Sequence, residues 1–188
     1  MHLRHLDWAP LLAPTPPWAH LICCDETEID GAVSEFQRGN SGEQRVLVRI
    51  IHAQRCPTWW LTYTWWAAVL QFPGYFGYNG AAFDDCITDL SWLRSDRYVI
   101  VITRAYMLLR DENEHALAAF LEQLKEASLF WNTPVRNPRA PEEIREQHDH
   151  EVTPFHILFH CEADLEHYTR DIYARAGIAL PSVTFLEP

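Results

Sequence analysis

At 188 residues the chain has the length of one domain with a core of its own. A net charge of −11 turns it away from nucleic acid and anionic membranes and toward a basic partner, while 48% apolar and 22% charged residues match a globular protein. No run of eighteen apolar residues crosses a bilayer, and Asp7 with Pro10, Pro14, Pro16 and Pro17 interrupts any secretory h-region. Five cysteines, an odd number without a C-x-x-C pair, fit buried thiols in a reducing, cytoplasmic setting.

In chain order, residues 1–16 read as an irregular N-terminal arm. WAHLICCD (Trp18 to Asp25) reads as a strand, Glu28 to Phe36 as a helix, and Gly-Asn-Ser-Gly at 39–42 as a turn. RVLVRII (Arg45 to Ile51) is a β-branched strand. Thr58 is the expected N-cap of a helix with Trp59, Tyr63, Trp66 and Leu70 along one line and Leu61, Trp65 and Val69 along another. A helix so apolar is either sandwiched inside the domain or exposed in a contact, a second copy of the chain included. YVIVIT (Tyr98 to Thr103) is a continuous apolar run and hence a central strand. Leu117, Phe120, Leu121, Leu124, Ala127 and Trp131 repeat at helical spacing. Residues 132–153 carry three prolines and no periodicity, an exposed insertion. FHILF (Phe155 to Phe159) is a strand and Asp164 to Arg175 a terminal helix. Strands alternating with helices imply an α/β fold with a largely parallel sheet.

The stretch FPGYFGYNGAAFDDCITDLSWL (Phe72 to Leu93) holds the candidate site. It is no phosphate cradle, because bulky rings separate its glycines and carboxylates follow them. Gly74, Gly77, Asn79 and Gly80 are expected at turn positions where positive φ is tolerated. Phe83, Cys86, Ile87 and Leu90 form a buried stripe, leaving Asp84, Asp85, Thr88 and Asp89 outside. Two readings of the acids stand. Aspartates in a first turn offset the helix dipole by about 0.3–1 kcal/mol each. Alternatively they face a partner, because Asp85 and Asp89, four apart, repel each other on one face.

The stretch resembles barstar and the barstar-related bacterial ribonuclease inhibitors, whose segment runs from a proline through a Tyr–aromatic–Gly–x–Asn loop to a helix with an acid before Cys-Leu-Thr. Here these are Pro73, Tyr75, Phe76, Gly77, Asn79, Asp85, Cys86, Ile87 and Thr88. The resemblance extends from about Trp18 to Cys161, in a barstar-like domain set at 17–161, with 162–188 a C-terminal helical extension. It implies a small α/β fold, no catalysis and no cofactor. The loop and acidic helix would occlude the cationic active site of a basic ribonuclease or related toxin, as an immunity protein or antitoxin does. The expected partner-binding residues are Tyr75, Phe76, Tyr78, Asn79, Asp84, Asp85, Asp89 and Glu126, with Asp85 central. Gly80-Ala81 stands where many relatives have Trp-Asp, so the alternative is an interaction module that has lost inhibition and binds another protein or itself.

Ten histidines raise a metal site. His156 and His160 share a strand face but lie roughly 13 Å apart by strand rise, too far for one ion, and His148 and Glu151 lie in the insertion, so no metal is expected. Cys23-Cys24 reads as a strand end with one buried thiol. A hydrolase would need a nucleophile motif near His52 or His115, and none is present.

Overall fold

A computed structural model describes residues 5–39, 45–136, 141–142 and 150–186. Four strands, β2 (Ala19–Cys23), β3 (Val46–His52), β4 (Arg97–Thr103) and β5 (Phe155–Cys161), form one sheet in the order β2-β5-β4-β3. All three pairings are parallel, with Val48 opposite Val99 and Ile100 opposite Ile157. The α/β architecture with a parallel sheet is the one the sequence leads one to expect.

The continuous apolar run of β4 follows from cover on both faces. Tyr98, Ile100 and Ile102 face a layer made by α3 (Trp59–Leu70), α4 (Gly80–Asp89), α5 (Ala116–Trp131) and α6 (Glu166–Arg175). Val99 and Val101 face α2 (Glu26–Gly39) on the other side. Every residue of β5 is buried.

The N-terminal arm departs from the irregular segment expected. Its short strand β1 (His5–Leu6) pairs antiparallel with β6 (Phe185–Leu186), and Leu11 in α1 (Ala9–Leu12) is fully buried. Trp8 stacks on Phe36 of α2 at 4.2 Å. The apolar anchors of this arm are too few and too unevenly spaced to show a period. The tail also closes a sheet edge, since Leu21 donates to Pro181 O at 2.8 Å and Val183 donates to Leu21 O at 2.8 Å.

At the described ends of the insertion, Val135 and His150 exchange backbone hydrogen bonds of 3.0 and 3.1 Å. Residues 137–140 and 143–149, with His148, lie outside the described residues, as do 40–44 of the expected turn.

His156 and His160 do share a face, and each is taken up by the backbone. His156 Nε2 donates to Ala13 O at 2.7 Å, which leaves its Nδ1 to accept from His20 Nε2 at 3.3 Å. His160 Nε2 donates to Cys24 O at 2.9 Å, and its Nδ1 accepts from Arg104 N at 3.3 Å. Among the described residues no group of three His, Cys, Asp or Glu side chains could hold an ion.

Burial, and then the neighbouring His156, hold the His20 imidazole down from 6.5 to about 4. Its contribution to stability is therefore complete above pH 6.5 and lost as the pH falls through about 4. Urea unfolding of the wild type is expected to weaken across that window, and His20→Leu is expected to flatten the dependence. An equally steep loss in both proteins would place the acid sensitivity elsewhere.

Candidate functional site: an aromatic loop and an acidic helix

The site begins where α3 ends. Thr58 caps that helix by accepting from Leu61 N at 3.4 Å, which sets the rotation of every later side chain. Trp66 is then fully buried against Phe83 and Phe120, at ring distances of 5.4 and 5.6 Å. Gln71 closes the helix in the left-handed region with φ 55°.

The loop that follows is stiffened from within. Phe76 donates its N–H to Pro73 O at 2.9 Å, and its ring meets Phe72 edge-on at 5.0 Å. Phe76 is buried, which corrects its place among the partner-binding residues. It supports the loop and presents no surface. The positive φ expected at Gly74, Gly77, Asn79 or Gly80 falls instead on Tyr78, at 52°. A left-handed residue with a bulky side chain costs on the order of 1–2 kcal/mol, which packing must offset.

Two glycines serve close approach. A Cβ on Gly77 would lie 2.9 Å from Asn79 Nδ2, and one on Gly80 would lie 3.2 Å from Gln123 Nε2 and 3.3 Å from the Tyr63 hydroxyl. Gly80 lets the start of α4 settle against α3 and α5.

Asn79 is the N-cap of α4, its Oδ1 accepting from Ala82 N at 3.0 Å while its Nδ2 donates to Gly77 O at 3.1 Å. It shapes the site from within its backbone. Asn79→Ala is expected to destabilise the protein by about 1 kcal/mol and to fray the first turn of α4. Urea unfolding measures the loss, and hydrogen exchange at Ala82 and Phe83 should quicken. Unchanged exchange there would mean the cap does not hold the helix start.

Because α4 starts at Gly80, its first turn holds no acid. Asp84 and Asp85 sit in the second turn, where the dipole has largely fallen away. The helix-dipole explanation for the pair loses its force. The reason is the Gly80-Ala81 opening, which reads as loop in the sequence and is helix in the structure.

The carboxylates have different surroundings. Asp84 Oδ1 accepts from Gln123 Nε2 at 2.9 Å, and Gln123 Oε1 in turn accepts from the Tyr63 hydroxyl at 3.2 Å. Desolvation lifts Asp84 above the ordinary carboxylate value, Gln123 opposes this and Asp85 adds to it. Asp85 is exposed, and no hydrogen bond or ion pair from a described residue reaches its carboxylate. Asp89 is half-buried and likewise free of ion pairs among the described residues. Tyr75 is 74% exposed. Its hydroxyl is raised by local desolvation and then by the charges of Cys86, Asp89 and Asp85. Glu126 is exposed on α5 and makes no described contact with the α4 carboxylates. The neighbouring Lys125 binds Glu122 at 2.9 Å instead.

The structure thus gathers Tyr75, Tyr78, Asn79, Asp84, Asp85 and Asp89 on the loop and α4, leaves Glu126 on the adjoining helix, and withdraws Phe76. It adds Gln123 and Tyr63, whose relay no sequence spacing reveals, and Trp60, 61% exposed with its ring 5.0 Å from Tyr78. The sequence does carry a signal for Trp60, which falls on neither apolar line of α3.

No described helix is long and apolar enough to cross a membrane. No curated protein and no solved structure matches the chain. A family model described as Barstar (barnase inhibitor) matches residues 46–159, more than half of the chain, from β3 almost to the end of β5. With that span, the parallel sheet and the loop–helix unit at 72–89, the chain belongs to the barstar family.

Proposed function

We propose that this is a barstar-type inhibitor, an immunity protein or antitoxin that works in a bacterial cytoplasm. It occludes the cationic active site of a basic ribonuclease or related toxin with Tyr75, Tyr78 and the carboxylates of α4. The observation that carries the reading is Asp85, an exposed carboxylate without a described partner on a helix packed tightly between its neighbours. An acid left unpaired beside Asp89 weakens its own helix by a few tenths of a kcal/mol. A partner that supplies the missing cation gives that arrangement a purpose. The protein takes no cofactor and performs no chemistry in this role.

Titration of barnase with the protein, read by RNA cleavage, tests the reading. Inhibition is expected to be stoichiometric. Association is expected to slow on the order of tenfold as salt is raised, because an acidic face steers it toward a basic cleft. Full cleavage at excess protein, with no basic toxin recovered from the producing cells, overturns it.

One observation favours a second reading, a barstar-fold module without inhibitory activity. The α4 opening Gly80-Ala81 offers no carboxylate, and Asp84 is already engaged by Gln123. A homodimer through the Trp59–Trp66 segment in sedimentation, with no basic protein bound, would support it.

A further inference from the structure

We infer that Trp60 and Tyr78 form a shelf that receives an arginine side chain of the basic partner, next to the carboxylates that receive its other cations. The inference rests on the inhibitor reading and names a contact that reading does not contain. Trp60 is the large exposed ring of α3, 61% accessible, and Tyr78 leans on it at 5.0 Å with an angle of 31° between the planes.

Two features argue that the shelf is held in place. Tyr78 takes a left-handed backbone conformation with φ 52°, and packing of its ring against Phe76 at 4.9 Å and Trp60 maintains it. It also lies immediately before Asn79, the cap of α4, so shelf and acidic helix share one edge of the loop. On the α3 side, Tyr63 is linked through Gln123 to Asp84, which brings the negative charge close to the same helix.

Charge chooses the occupant. A second copy would bring two faces of a chain with net charge −11 together, like against like. A cationic segment is attracted both by Asp84, Asp85 and Asp89 and by the ring faces. Arginine suits the shelf better than lysine, because its planar, weakly hydrated guanidinium lies flat on an aromatic face. The same helix already shows this geometry internally, with the Arg55 guanidinium carbon 4.9 Å from the centre of the Trp65 ring. Trp65 thus has a cation of its own, and Trp60 presents its ring outward.

The test uses the full chain, labelled with nitrogen-15, and two capped peptides of equal charge, tetra-arginine and tetra-lysine. The Trp60 indole resonance is assigned by its loss in Trp60→Leu. Tetra-arginine is expected to shift that resonance and to bind about two- to fivefold tighter than tetra-lysine. In Trp60→Leu the two peptides, followed through α4 amides, are expected to bind equally. Asp85→Asn is expected to weaken both peptides alike and keep the arginine preference. Absence of a shift at millimolar peptide, equal affinities in the wild type, or a preference that survives Trp60→Leu overturns the inference. A Trp60 resonance that moves with protein concentration alone overturns it in favour of a second copy. If Asp85→Asn changes neither affinity while the arginine preference stands, the carboxylate reading fails and the shelf remains.

Discussion

Asp85→Ala is expected to weaken the proposed complex with barnase by about 2–5 kcal/mol, the general cost of truncating one member of a buried, hydrogen-bonded charge pair across a protein interface. Free in solution, the same variant is expected to be as stable as the wild type, or more stable by a few tenths of a kcal/mol, because its repulsion with Asp89 disappears. Opposite signs for binding and stability mark a side chain kept for its partner. Titration calorimetry gives the first quantity and urea unfolding the second. Asp96, just beyond α4, would make a poor control, since its Oδ2 accepts from Arg45 N at 2.6 Å. Glu35 is better placed for the binding comparison, because α2 covers the opposite face of the sheet, and the loss of its ion pair with His5 at 3.3 Å is read separately by urea unfolding. Equal losses from Asp85→Ala and Glu35→Ala would remove the case for Asp85.

The largest loss of stability is expected at Trp66. Its fully buried ring meets Phe83 of α4 and Phe120 of α5, so it fastens three helices at one point. Trp66→Ala is expected to cost about 3–5 kcal/mol, a transfer penalty plus the cavity left behind. Trp66→Phe should cost less. It keeps an aromatic ring there and removes an indole N–H that is buried without a described acceptor. Equal midpoints for the two variants in urea would show that the cavity does not set the cost. Because the ring touches Phe83, Trp66→Ala should also loosen α4 and weaken binding.

Much of this fold can be read from the sequence because its central strands have unusual patterns. The unbroken run at β4 and the β-branched run at β3 demand a parallel sheet covered by helices. Thr58 and the spacing in α5 place two of the helices that cover it. The aromatic loop and the buried stripe of Phe83, Cys86 and Ile87 are legible for the same reason, as period and composition are local. What was not legible depends on contacts distant in sequence. The arm gains its order from Phe36 and from the tail, 179 residues away in the pairing of Leu6 with Phe185 and 181 in that of His5 with Leu186. Phe76 and Tyr75 are neighbours of similar type, and only the packing of Phe72 and Tyr63 decides which ring turns inward. The strained residue is Tyr78 because the rings of Phe76 and Trp60 hold it there, a preference that no glycine pattern encodes.

The pairing of β1 with β6 has a consequence for how this fold can be cut. The span shared with the family leaves out β1, α1, β2, α2 and the tail, yet these pieces clasp one another across the sheet. A fragment trimmed to residues 46–159 would lose the outer strand beside β5 and bare Val99, Val101 and Leu158 to water. Its flanks are ribs of the same hull, and the loop and α4 that carry Asp85 depend on timbers laid on the far side.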